Sequence, residues 1–242
     1  MKNILLIWGI AGMGLLAPVT GITAAEGPST EQEMEQYVQR GQDLVLQHKP
    51  AEAISKYLDK AYGWCETTHA KPGVKLYAAR DGKETLAYLM MAAAGDKNSG
   101  ENTKAVVIPF ACAYALYLKG YALLELRDMA GAEAHIKRVV DMSPMNAQFL
   151  SELGHIHQLK KDWQQTLAIF TKAESAARDF SPDNTRPHDL GRAKRGIGFT
   201  LIELGQLDKA EAKFRECLKI NPNDKSAQSE LLYIEQLRSK GK

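Results

Sequence analysis

The sequence has 242 residues, a formal net charge of +2 and 25% charged residues. This near-neutral balance argues against a general nucleic-acid binder, which normally carries a strongly basic face. Hydrophobic residues make up 45% of the chain, which is ordinary for a folded globular protein of one large or two small domains.

The first 25 residues have the order of a secretory signal peptide. Lys2 is followed by an apolar run from Ile4 to about Leu16 and then by small residues that end in Ala24-Ala25. The run is shorter than the roughly 20 residues that a membrane-spanning helix needs. We therefore expect cleavage near Ala25 and an exported chain, periplasmic or secreted. The alternative is that the segment is retained as an anchor.

The region from 71 to 104 is the least regular part of the sequence. It has turn signals at Pro72-Gly73 and Asp81-Gly82, and "ETLAYLMMAAAG" predicts a helix that ends at Gly95. A short hairpin strand at "VKLYAA" is an alternative for its first half. After the polar loop "DKNSGENTK", the run "AVVIPFACAYALYLKGYALLEL" predicts one long helix, with Pro109 tolerated near its start.

A pattern of glycine followed by a large side chain recurs along the chain. Apolar residues spaced by three or four positions surround each glycine and indicate paired helices. A glycine where two helices cross allows their backbones to approach closely, and the large residue fills the space beside it. The pairs are sixteen residues apart: Gly120 and Ile136, Gly154 and Phe170, Gly198 and Phe214, and, in a weaker unit, Gly41 and Tyr57.

The pattern resembles the tetratricopeptide repeat, a 34-residue helix–turn–helix unit, in a protein of the exported bacterial type. "LGQLDKAEAKFRECLKINP" is similar to the second-helix pattern of that family, and Ala113–Asn146 also fits. The next unit departs from it, with Thr166 in place of alanine, so its second helix is expected to continue towards Phe180. "SAQSELLYIEQLRSK" predicts a final helix that covers the last repeat.

The resemblance implies an all-α fold, a right-handed α-solenoid of stacked helical hairpins with a C-terminal capping helix. One hairpin cannot bury its apolar face, so at least three must stack. The expected division is a signal peptide at 1–25, a degenerate hairpin at 26–70, an irregular connector with a short helix at 71–104, a repeat at 105–146, a divergent repeat with an insertion at 147–190, a repeat at 191–224 and the capping helix at 225–242.

The cysteines and histidines do not predict a catalytic or metal site. Cys65 and Cys112 are candidates for a disulfide, but we favour the interpretation that they and Cys217 are small buried apolar residues. His155 and His157 are two positions apart on a helix, so their rings diverge. The sequence also lacks the G-x-S-x-G and P-loop patterns. We therefore expect no catalytic residues, no metal and no cofactor, and we expect that the protein is not an enzyme.

The candidate site is a partner-binding groove lined by the first helix of each repeat. Three tyrosines share one helix face, and tyrosine suits interfaces because it combines an apolar ring with a polar hydroxyl. The alternatives are that the tyrosines pack under the irregular N-terminal region and that the arginines are a solvated helix start. The groove residues are Tyr114, Tyr117, Tyr121, His155, Gln158, Arg192, Arg195 and Phe199.

These features favour an exported or periplasmic scaffold that binds a protein or peptide in its concave groove, in an envelope-associated complex. We expect neither a nucleic-acid partner nor stable membrane insertion after signal cleavage. One alternative is an immunity or inhibitor protein that neutralises a secreted toxin or an envelope hydrolase. Another is a helical protein or enzyme that binds a small ligand through residues 66–105.

Overall fold

The computed structural model describes residues 27–94 and 104–240. The predicted signal peptide, the predicted helix end at Gly95 and nearly all of the polar loop after it lie outside these residues. The elements are α1 Glu31–Leu46, α2 Pro50–Ala53, a π-helical turn Ile54–Leu58, α3 Asp59–His69, β1 Lys75–Ala79, α4 Gly82–Ala93, β2 Ala105–Pro109, α5 Phe110–Glu125, α6 Met129–Met142, α7 Ala147–Leu159, α8 Trp163–Phe180, α9 Arg186–Glu203, α10 Leu207–Ile220 and α11 Lys225–Lys240.

Helices α5 to α10 form three successive hairpins, which we call the regular repeats, and they confirm the predicted solenoid. The predicted glycine contacts are present. A Cβ atom on Gly120 would lie 2.7 Å from Ile136, and one on Gly198 would lie 2.7 Å from Phe214. Real Cβ atoms essentially never approach a neighbour so closely, so a larger residue at either glycine would force the neighbouring side chain to shift.

The first hairpin departs from this spacing by one residue. The π-helical turn Ile54–Leu58 adds one residue inside the second helix of this hairpin, because a π turn is wider than an α turn. Leu58 rather than Tyr57 therefore contacts Gly41 most closely and is fully buried. The predicted partner, Tyr57, is shifted to a half-buried position, where its ring lies 5.5 Å from that of Tyr37.

Each hairpin turn contains one residue with left-handed backbone geometry. It lies seven residues after the crossing glycine, and the predicted turn at Gly205 has φ 71°. In the other hairpins, this position is occupied by residues with a side chain. They are His48 at φ 57°, Arg127 at φ 63° and Lys161 at φ 59°.

The connector contains a small β–α–β unit made of β1, α4 and β2. The strand at Lys75–Ala79 pairs in parallel with Ala105–Pro109, so the alternative of a hairpin strand is correct for the strand and wrong in its pairing. The long helix predicted from residue 105 is also wrong for its first five residues, which form β2. Helix α5 begins only at Phe110, after Pro109 at the N-cap position. Pro109 lacks an N–H group and so suits the end of a strand and the start of a helix.

Cys65 and Cys112 form a disulfide with a Cα–Cα distance of 5.8 Å, which joins α3 to α5. The favoured interpretation, that both are simply buried apolar residues, is therefore wrong. It holds for Cys217, which is free and buried beside Phe214 in the core of the last hairpin. Burial raises the pKa of the Cys217 thiol to about 11.

The C-terminal predictions are confirmed. Helix α8 continues to Phe180, and α11 covers the last hairpin with Ile234 fully buried and with Leu231 and Leu237 packed beside it. In the described part of the chain, none of the helices combines the length and the apolar character needed to cross a bilayer.

Candidate protein-interaction groove

Two of the three predicted groove tyrosines are buried at the junction between repeats. The ring of Tyr117 lies 5.0 Å from Phe149 of α7 and 5.6 Å from Tyr114. Phe110 stacks on Phe149 at 5.7 Å and completes the cluster. Burial raises the pKa of Tyr114 to about 12, so its hydroxyl stays neutral. Tyr121 keeps part of its surface exposed and is the tyrosine that can contact a partner.

Arg192 is paired inside the protein. Its guanidinium donates to Glu152 at 2.5 Å, and the Glu152 side chain is only 3% exposed. Tyr117 lies close enough to interact with both charges. Removal of one member of a buried pair costs about 3–5 kcal/mol, because the other charge is left without a partner. This pair therefore holds α7 and α9 together.

Arg195 is also neutralised by a carboxylate of this chain. It forms an ion pair with Asp224, which is buried at the N-terminus of α11. Asp224 also accepts a hydrogen bond of 3.1 Å from the backbone N–H of Ala227. Arg195 thus fixes the capping helix to the last repeat. A partner carboxylate that approached Arg192 or Arg195 would meet a guanidinium already paired with Glu152 or Asp224.

The remaining predicted residues are half-exposed. They are Tyr121, His155, Gln158 and Phe199, which we call the groove stripe. The rings of Phe199 and Trp163 lie 6.3 Å apart. Burial lowers the pKa of His155, although the negative charge of Glu152 opposes the shift. His155 is therefore a neutral hydrogen-bonding group near pH 7.

The two histidines diverge as predicted. His157 is buried, with its Nδ1 atom 3.4 Å from an Asp162 carboxylate oxygen at the hairpin turn. Over residues 27–94 and 104–240, histidine, cysteine, aspartate and glutamate side chains do not form a group of three or more that could hold a metal ion. A surface cleft of about 320 Å³ lies away from the groove stripe, between α8, α9 and α10.

Sequence reasoning missed the two carboxylates that organise this surface. Glu152 is 40 residues from Arg192, and Asp224 is 29 residues from Arg195, so a local motif does not connect either pair. One signal was present. Glu152 lies within the mainly apolar run from Phe149 to Ile156, where a buried charge requires a partner.

Two segments match family models that are described as tetratricopeptide repeat. They are residues 113–146 and residues 191–224. These two segments are similar to the tetratricopeptide repeat. The first segment covers most of the α5–α6 hairpin, and the second covers most of α9 and all of α10.

Solved structures with the same architecture have little sequence identity to this chain. PilF from Pseudomonas aeruginosa is 14% identical, with a TM-score of 0.58 over 86% of this chain and 71% of its own. MamA from Desulfovibrio magneticus RS-1 is 16% identical, with a TM-score of 0.53 over 85% of each chain. At these identities the similarity is one of fold. The tetratricopeptide repeats support a protein-interaction scaffold.

Proposed function

We propose that this protein is an exported, periplasmic scaffold without catalytic activity. It binds a protein or peptide partner in the concave groove of its repeats, within an envelope-associated complex. The signal-peptide order of the first 25 residues supports export. The repeats support binding, because stacked helical hairpins create extended concave surfaces.

The main support for this proposal is the placement of the groove stripe. Tyr121, His155 and Phe199 occupy equivalent positions on α5, α7 and α9, and each leaves part of its side chain accessible. The charges beside them are paired within the chain. Recognition therefore depends on aromatic contact and neutral hydrogen bonds, and aromatic side chains contribute strongly at interfaces.

The buried pairs give the groove a fixed shape. The Glu152–Arg192 pair joins α7 to α9, and the Arg195–Asp224 pair joins α9 to α11. A surface that is already ordered loses less conformational entropy when a partner binds. Tyr117 and Arg195 are unsuitable for a binding test, because their replacement would disturb this support.

The test compares two double variants in capture of a partner identified by crosslinking with the native protein. Tyr121→Ala with Phe199→Ala removes two rings of the groove stripe. The control, Leu232→Ala with Tyr233→Ala, removes two exposed side chains from α11. We expect both proteins to keep the helical circular dichroism of the wild type, and capture to fall at least tenfold in the groove variant alone. Equal capture by both variants would rule out the groove.

A further inference from the structure

Helix α4 is apolar on both of its faces. Its inner face packs on the strands through Tyr88 and Ala92, with the ring of Tyr88 5.2 Å from that of Tyr77. Its outer face presents Leu86 and Met90, which are 61% and 64% exposed, together with Leu89 and Ala93. The spacing of three and four places these four residues on one side of the helix. We call them the α4 ridge.

The ridge is held in place by contacts with the regular repeats. Ser143 donates a hydrogen bond of 2.6 Å to the carbonyl of Ala78, which covers the outer edge of β1. Lys83 donates to the carbonyl of Asp179 at the end of α8, and its ammonium lies 5.2 Å from the ring of Phe180. The β–α–β unit thus contacts two successive repeats, and the ridge faces outward as a fixed surface.

The fully buried Glu84 carboxylate fixes the start of α4. It forms an ion pair with Arg80 and accepts a hydrogen bond of 2.8 Å from the backbone N–H of Arg80. Asp81 caps the helix by accepting a hydrogen bond from the N–H of Glu84 at 2.9 Å. These contacts use the charges at this end of α4 and leave the ridge itself without a charged residue.

Lysines surround the other end of α4. Lys71, Lys75 and Lys104 are exposed, and the backbone N–H of Lys75 donates to the carbonyl of Lys104 at 2.8 Å. Since a helix between parallel strands runs antiparallel to them, these lysines lie where α4 ends, and Ala105 packs against the cluster that contains Ala92. Within the described ranges, the three ammonium groups form no ion pair.

We propose that the α4 ridge adsorbs onto the surface of an anionic lipid bilayer. Its apolar side chains enter the interface between headgroups and acyl chains, as those of an interfacial amphipathic helix do. The three lysines are positioned to meet anionic headgroups. The ridge would orient the repeats at a membrane surface, with the groove stripe available to the partner.

The shape and size of the ridge favour a lipid surface over a protein. A helical peptide binds an apolar groove, whereas α4 presents a convex surface. Its 12 residues make a helix about 18 Å long and about 10 Å wide, so one face covers roughly 200 Å². A stable dimer buries about 800 Å² on each partner. A bilayer deforms around a ridge and needs no complementary pocket.

The test places an environment-sensitive fluorophore on the full chain at Met90→Cys or, as a control, at Leu232→Cys. Both positions are at least 60% exposed. The native cysteines do not compete, because Cys65 and Cys112 are joined and Cys217 is buried with its pKa raised to about 11. Each protein is mixed with vesicles of phosphatidylcholine alone or with phosphatidylglycerol added.

We expect a blue shift and at least a twofold rise in emission at position 90 with the anionic vesicles, and no change at position 232. Replacement of Lys71, Lys75 and Lys104 by Gln should raise the lipid concentration for half-maximal change at least fivefold. Equal signals at the two positions would overturn the proposal. So would a change at position 90 that depends on protein concentration without vesicles, which would assign the ridge to a second copy of the chain.

Discussion

The regular repeats and the β–α–β unit are built from contacts of very different range. In the repeats, each crossing glycine meets a side chain sixteen residues later, within one hairpin. In the β–α–β unit, Lys75 pairs with Ala105, and Arg80 reaches the carbonyl of Phe180, 100 residues away. Contacts of short range repeat in the sequence and can be recognised there. Contacts of long range leave no such pattern.

The largest expected change in stability comes from removing the disulfide that closes the β–α–β unit into a loop. The disulfide between Cys65 and Cys112 closes a loop of 47 residues that contains β1 and α4. Replacement of both cysteines by Ser should lower the free energy of unfolding by about 4 kcal/mol, mainly because the unfolded chain gains freedom. Urea denaturation measures this loss. The matched control is the reduced wild type, whose urea midpoint should equal that of the Ser variant. If both midpoints equal that of the oxidised wild type, the disulfide is not present.

A crossing glycine tests the packing of the regular repeats. Gly198→Ala places a methyl group against Phe214, and we expect a loss of about 2 kcal/mol from overpacking. Gly63→Ala is the control, because a Cβ atom there meets nothing within 4 Å and the residue lies inside α3. The Gly63→Ala variant should gain about 0.5–1 kcal/mol in the free energy of unfolding. Thermal denaturation measures both changes. A change in stability of the same sign in the two variants would disprove the close approach at Gly198.

Substitutions in the hairpin turns should have a smaller effect, and we expect them to stabilise the protein. Arg127→Gly and Lys161→Gly should each gain about 0.5–1 kcal/mol, because glycine removes left-handed strain of about 1–2 kcal/mol but adds flexibility to the unfolded chain. Lys160→Gly is the control. Its φ of −80° is ordinary, so glycine there should only destabilise. Chemical denaturation measures the stability of the three variants. A gain in stability from Lys160→Gly would show that relief of left-handed strain is not the cause.

The smallest effect concerns His155. Its pKa is lowered by burial, so the folded state binds a proton less readily than the unfolded state, whose pKa is about 6.5. The resulting stability is present above pH 6.5 and is lost as the pH falls towards the lowered value. His155→Gln should remove this part of the pH dependence between pH 7 and 5. Identical slopes of stability against pH in the two proteins would show that His155 does not contribute.

The sequence was sufficient for features that depend on local spacing. The crossing glycines, the turn at Gly205, the extension of α8 to Phe180 and the packing of Ile234 all follow from helical periodicity. The parallel pairing of β1 with β2 did not follow, since it requires strands 30 residues apart and support from Ser143.

The same limit applies to the candidate site. Helical register placed Tyr114, Tyr117 and Tyr121 on one face, but the position of Phe149 in the next repeat determines which rings are buried. The register also identified Arg192 and Arg195, whereas their partners Glu152 and Asp224 lie far away in the sequence.

Photocrosslinking in the native cell is the sharpest test of whether the groove stripe contacts the partner. Benzoylphenylalanine would replace Tyr121 in the groove stripe or, in a matched chain, Tyr233 on the exposed side of α11. We predict a crosslinked protein adduct from position 121 and none from position 233. An adduct from position 233 with none from position 121 would show that the partner does not bind at the groove stripe.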